Sequence, residues 1–414
     1  MSKRKIQHAE KEDNVNLAEG AKDKVATYGS DILVDDYIDT TVEHQYLDDL
    51  SKLSSTEKEQ LLRAGVDITE QNRSGTFVQK DHSVLHCSTS QEGMEILEIN
   101  NAREKYDWME DYWWRAVAVD MDKYTSRAEL HQENGYFIRS LPGTKSVYPL
   151  QACLYLDEDK LIQDVHNIVI AEENSELHII TGCAVAPHVK SGLHVGISEF
   201  YVKKNAKLTF TMIHNWAEEV AVRPRSATIV EEGGLFLSNY VCMQPVNSLQ
   251  MYPVTYLIGE NSTARYNSIL VATPGSELDV GSRIFLKAKG SRAEIISRAI
   301  TMGGKIIARG HIIGEVPGIK AHLECKGLIL SDDGVIHAIP ELEGYKEDID
   351  LSHEAAVGKI AREEVEYLMA RGLSEEEATA TIVRGFLNVE IEGLPPDLQN
   401  ELDRAVGISD KSDM

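Results

Sequence analysis

Between Ala321 and Glu354 the chain carries His322, Glu324, Cys325, His337, His353 and Glu354, a concentration of soft and borderline metal ligands. A thiolate is the protein ligand that iron–sulfur clusters prefer, and an imidazole can replace it. A carboxylate is a harder and weaker ligand, so a site completed by Glu324 or Glu354 would be labile, which suits a group that must be handed on. The bland alternative is that Cys325 packs as a small hydrophobe, as free cysteines commonly do. His82, His86 and Cys87 form a second, looser group that nothing else in the sequence supports.

Other chemistries leave no trace. There is no GxxxxGK[ST] loop, so ATP hydrolysis by this chain alone is not expected. A GxSxG nucleophile elbow and an HExxH pair are also missing. Adjacent acids such as Asp332 and Asp333 do not by themselves make a catalytic carboxylate pair, and the chain reads as a non-enzyme. The five cysteines (Cys87, Cys153, Cys183, Cys242, Cys325) are odd in number and scattered, which argues against a secreted disulfide framework. No pair has Cys-x-x-Cys spacing, so no self-contained zinc or ferredoxin motif exists. With 67 acidic against 42 basic residues, the formal net charge of -25 repels phosphate backbones and excludes nucleic acid as the expected partner. The N-terminus has a basic start with no apolar segment behind it, and no apolar run reaches the roughly 18 residues of a membrane span. A cytoplasmic, soluble protein that binds no membrane is expected.

The elements that must position Cys325 and its neighbours follow from hydrophobic pattern. Residues 1–75 form a polar, partly helical region, in which Ser55 is placed to cap a helix carrying Leu61, Leu62 and Val66. Residues 76–140 are a mixed entry segment. Its cluster of Trp108, Trp113 and Trp114 reads as packing, with the option of covering one end of a β stack. From about 145 to 345, short runs rich in Val, Ile, Thr, Leu and Tyr alternate with Gly, Asn and Asp turns. Leu208, Leu235, Ala264, Ala293 and Ala321 take equivalent places at a spacing of about 28 residues, within the range of solenoids. No long helical pattern intervenes, which excludes a βαβ sheet, and a propeller blade would need about 40 residues. The expected fold is mainly β: a parallel β-helix core over 76–345, flanked by helical regions that cover its open ends.

After residue 346 the pattern turns helical. Ile360, Val365, Leu368 and Met369 fall largely on one face, and Gly372 stops that helix. Ser374 and Glu377 form a capping box for a second helix with Ala378, Ile382, Val383 and Phe386 on one stripe. A third segment, with Leu398, Leu402 and Val406, follows Pro395 and Pro396. The stripes must be buried, against the end of the β-helix or against a partner protein.

Two long motifs carry a resemblance. GISEFYVKKNAKLTFTMIHNWAEEV, residues 196–220, and LSHEAAVGKIAREEVEYLMARGLSEEEATATIVRGFL, residues 351–387, resemble the SufB/SufD family of iron–sulfur cluster assembly scaffolds. The resemblance covers roughly residues 145–395. It implies a right-handed parallel β-helix and a complex with the ABC-type ATPase SufC, docked on the C-terminal helical region (346–414). It also implies a transient cluster, of 4Fe-4S type, passed to apo-protein acceptors. Cys325 sits where the SufB branch has its essential cysteine, and His353 and Glu354 match the His–Glu pair that follows it at the start of the helical region. In the SufD branch a histidine at the position of His353 faces the partner's cysteine. One chain holding both halves implies a homodimer that presents Cys325 of one copy to His353 or Glu354 of the other. Glu324, His322 and His337 are second-tier ligand candidates with no family assignment. The chain lacks the N-terminal cysteine cluster of long SufB proteins and looks like the short archaeal version. The competing expectations are a structural or interaction β-helix without a metal and, far behind, a β-helix carbohydrate lyase, for which fold alone is a poor warrant.

Overall fold

A computed structural model describes residues 13–131 and 133–387. The chain is mainly β, a solenoid of about 8 turns, with helices toward its two ends. Two long sheets face one another. The ten-stranded sheet begins with Ser83–Thr89 and Gly75–Lys80 and runs through Leu150–Leu156, Glu176–Val185, Lys207–Asn215, Leu235–Cys242, Thr263–Ala272, Arg292–Thr301 and Ile319–Ile329 to Ile349–Gly358. The second sheet ends with Lys305–Gly314 and Val335–Gly344. Rungs pair in parallel, and β-branched and aromatic residues alternate between the interior and the outer faces, as period-two side chains must.

The repeat expected from the sequence is present with one correction. Leu208, Phe236, Ala264, Ala293, Ala321 and Leu351 form one column, whereas Leu235 pairs with Lys207 and Thr263. Phe236 is 1% exposed and belongs to the interior, while Leu235 is only half-buried. A slip of one residue moves a side chain to the opposite face, and the burial of Phe236 fixes the register.

The two ends of the solenoid differ. At the N-terminal end antiparallel pairs terminate both sheets, Ser83–Thr89 on Gly75–Lys80 and Met94–Glu98 on Tyr136–Ser140. At the C-terminal end Val335–Gly344 and Ile349–Gly358 are the last strands, and among the described residues no strand pairs with their outer edges. The β-structure therefore extends past residue 345 to Gly358, and the first C-terminal helix is Arg362–Met369.

The helical segments cover flanks, not the open end expected from the sequence. Ile360, Val383 and Phe386 pack against Ile269, Val271, Ile300 and Leu328 on the outer face of the ten-stranded sheet. Helix Glu375–Leu387 is opened by Ser374, whose Oγ accepts the Glu377 N–H while the Glu377 carboxylate accepts the Ser374 N–H. Gly372 ends the preceding helix with φ of 102°. The segment bearing Leu398, Leu402 and Val406 lies outside the described residues. Trp113 and Trp114 pack against Ile168, Val195 and Ile197 on the flank of the other sheet, not over an end. The N-terminal helix Ser55–Arg63 is capped by Ser54, not Ser55, in a box with Glu57. Leu61 and Val66 are buried and Leu62 is exposed. No helix among the described residues is long and apolar enough to cross a membrane.

Candidate cluster-assembly site at the last rungs

Strand Ile319–Ile329 puts Ala321, Leu323 and Cys325 into the interior and turns Lys320, His322, Glu324 and Lys326 outward. Strand Ile349–Gly358 continues the same columns one rung further, pairing Leu323 with His353, Glu324 with Glu354 and Cys325 with Ala355. The interior side thus carries Cys325 and His353, and the outer side carries Glu324 and Glu354. His353 and Glu354 stand on the last strand, not at the start of a helix, and both are exposed.

Cys325 is 2% exposed. Burial pushes its thiol up to about 11, the neighbouring Glu324 carboxylate adds to the rise, and Arg298 opposes it. In the isolated chain the residue is a neutral thiol near neutral pH, and a ligand role needs the thiolate. Deprotonation requires water or a cation to reach the sulfur, so the site is closed in this arrangement.

The outer side is an ion-pair ladder. Glu324 is paired with Arg298, and Lys326 lies 3.1 Å from Glu324 and 3.4 Å from Glu354. Despite its desolvation, hydrogen bonds and charge from Lys326 and Arg298 hold the Glu324 carboxyl below its ordinary range. His322 Nδ1 and Ser352 Oγ are 2.9 Å apart on the same side. His337 lies on the other sheet, paired with Ile307. Among the described residues, no three of His322, Glu324, Cys325, His337, His353 and Glu354 bring ligand atoms within 4.8 Å of one another. One protomer therefore does not assemble these ligands around a point.

Arg298 is the residue that reading the sequence passes over. Its signal is the rung spacing, which pairs Ser297 with Cys325 and Arg298 with Lys326. Further inside, a space between the sheets, lined by apolar side chains with some polar ones, reaches Ser297 and Arg309. Its histidines are held neutral: burial lowers His194 to about 3 and His214 well below the usual range, and His214 Nδ1 lies 2.7 Å from the Tyr240 hydroxyl. His82 and His86 have structural partners, the Ile162 carbonyl at 3.0 Å and the Leu47 carbonyl at 2.8 Å, and the Cys87 thiol donates to the Ile96 carbonyl.

Comparison with known proteins agrees with this architecture. Residues 154–386 match the family model for the SUF system FeS cluster assembly SufBD core domain. The chain is 50% identical over 403 residues to an iron–sulfur cluster assembly SufBD family protein of Methanothermobacter thermautotrophicus (strain Winter), covering 96% of this chain and 98% of that protein. It is 53% identical over 355 residues to a SufBD family protein of Archaeoglobus fulgidus, covering 86% and 95% of the two chains. A SufBD family protein of Pyrococcus horikoshii is 31% identical over 370 residues, with 88% and 83% covered. The match spans nearly the whole chain and includes the rungs that hold Cys325, His353 and Glu354, and this chain belongs to the SufBD family of iron–sulfur cluster assembly proteins.

Proposed function

We propose that this protein is a cytoplasmic, non-enzymatic scaffold on which a transient iron–sulfur cluster, of 4Fe-4S type, is built and passed to apo-protein acceptors. The cluster is cargo, not a resident cofactor. The observation that carries the reading is the C-terminal end of the solenoid: two strand edges that have no strand partner among the described residues stand at the last rungs, next to a buried cysteine. Bare strand edges are templates for pairing, and a second copy of this chain meets that need. Across such an interface Cys325 of one copy meets His353 or Glu354 of the other, which supplies the ligands that one protomer keeps apart.

An ABC-type ATPase of the SufC kind supplies the work. It docks on the C-terminal helices, whose Tyr367 and Met369 are exposed at 55% and 41%. Helix Glu375–Leu387 packs through Val383 and Phe386 on the cluster that includes Leu328, on the strand that carries Cys325, so a pull on it bears on the site. Nucleotide must favour one arrangement of the scaffold over the other for this coupling to operate. When the interior is opened to water, the Cys325 thiol loses the burial that keeps it neutral and becomes a ligand.

The test is anaerobic reconstitution with iron and sulfide, with and without the ATPase, comparing the native chain with Cys325→Ser. A visible chromophore lost in Cys325→Ser is expected. A full cluster on Cys325→Ser would overturn the ligand assignment. The competing reading, an interaction β-helix with no metal, draws on the burial of Cys325 and requires both proteins to stay colourless.

A further inference from the structure

At the opposite end of the solenoid, three segments distant in sequence bring metal-ligating atoms together. His44 comes from the irregular segment that precedes helix Ser55–Arg63. Asp81 comes from the turn between Gly75–Lys80 and Ser83–Thr89, and Asp157 follows strand Leu150–Leu156. One ligand atom from each lies within 4.8 Å of the others. His44 Nε2 is 2.9 Å from Asp81 Oδ2, and the Thr41 hydroxyl donates to the same oxygen at 3.4 Å. The other Asp81 oxygen accepts the N–H groups of Asp157 at 2.8 Å and Glu158 at 3.3 Å.

The two oxygens of Asp81 therefore have separate roles. Oδ1 closes the turn onto the neighbouring strand end, which accounts for a buried aspartate at this position. Among the described residues Oδ2 meets the side chains of His44 and Thr41, with no backbone N–H on it. Asp81 is 1% exposed, His44 is half-buried, and Lys80 Nζ lies 2.7 Å from Asp157 and 3.0 Å from Glu57. Lys80 thus serves two carboxylates, Glu57 and Asp157, and Asp81 is a third carboxylate beside Asp157. Clustered carboxylates out of water repel one another, and a cation relieves that repulsion. A groove lined by Thr41, Glu43, His44 and His82 gives solvent access.

We propose that His44, Asp81 and Asp157 bind a divalent first-row transition ion, which fastens the segment around His44 to the solenoid. The donor set is one imidazole nitrogen and two carboxylate oxygens. It suits Zn²⁺, Fe²⁺ or Mn²⁺ better than Cu(I), which selects sulfur, or Ca²⁺ and Mg²⁺, which take all-oxygen sites. Metal–ligand bonds of about 2.0–2.2 Å place neighbouring ligand atoms roughly 3–3.5 Å apart, a spacing that His44 and Asp81 already nearly hold at 2.9 Å, so any closing on binding falls to Asp157. The imidazole then presents Nε2 without a proton and carries its hydrogen on Nδ1. Lys80 retains Glu57 as its partner.

Co²⁺ is the probe, titrated into the full-length, chelator-treated protein and followed by its visible absorption. One equivalent is expected in the native chain and in Cys325→Ser, with affinity at least about tenfold weaker in His44→Ala and in Asp157→Asn. Asp81 is left intact because its Oδ1 closes the turn. Proteolytic cleavage within residues 39–46 should slow with Co²⁺ in the native chain and stay unchanged in His44→Ala. Equal affinity in the native chain and both variants overturns the proposal, as does failure of the native chain to bind at 100 µM, roughly the weak limit for a built site. Binding lost in Cys325→Ser but kept in His44→Ala places the ion at the last rungs and overturns it too, whatever becomes of the cluster-scaffold reading.

Discussion

The closed state of Cys325 has a kinetic consequence that can be measured on the isolated protein. With a thiol pushed up to about 11, about one molecule in ten thousand carries the thiolate at pH 7, against about three in a hundred for a free cysteine near 8.5. The deficit is roughly 300-fold. A more basic thiolate is intrinsically the better nucleophile, with a Brønsted slope of about 0.4–0.5, which returns about tenfold. Reaction with an aromatic disulfide reagent at pH 7 should therefore be about 30-fold slower than for free cysteine, before any further slowing from 2% exposure. The assay uses a Cys87→Ser background, because Cys87 is the other cysteine with solvent contact, while Cys153, Cys183 and Cys242 are fully buried. The rate should climb about tenfold per pH unit up to pH 10 without a plateau. Glu324→Gln removes a carboxylate that disfavours the thiolate, and should speed the reaction by roughly severalfold. A rate within about threefold of free cysteine at pH 7, or a plateau near pH 9, would refute the argument that burial keeps this sulfur neutral.

Three further outcomes follow from the fold. Phe236→Ala should cost about 3–5 kcal/mol in urea unfolding and Leu235→Ala about 1 kcal/mol or less, since only Phe236 occupies the interior column. Gly182→Ala should loosen helix Ser55–Arg63, because an added Cβ would lie 2.2 Å from the Ala64 carbonyl oxygen; faster tryptic cleavage at Lys58 and Arg63 is the readout. Burial raises Asp164 to about 7 against the pull of Arg127, so the folded state holds a proton that the unfolded state has released. Stability from this group is present below about pH 4 and falls as the pH rises toward 7, and Asp164→Asn should flatten that part of the stability profile.

Sequence alone went far with this chain. Rung spacing, alternation and turn residues specified a parallel β-helix, because each is a local property and every rung repeats it. The stop at Gly372 and the box of Ser374 with Glu377 were legible for the same reason: a helix end is closed by residues within one turn. Register was not legible at Leu235, where Leu235, Phe236 and Leu237 are all apolar and period two cannot choose a face. The sequence also grouped Glu324 and Cys325 as neighbours, yet a strand sends adjacent side chains to opposite faces, one to Arg298 and Lys326 and the other into the core. Whether the C-terminal helices cover an end or a flank depends on Ile269, Val271, Ile300 and Leu328, which lie rungs away in sequence. Tertiary structure alone brought His44 to Asp81 and Asp157, and burial alone set the protonation of Cys325. Local periodicity is written in the sequence, whereas contacts between distant segments and removal from water come into being only when the chain closes on itself.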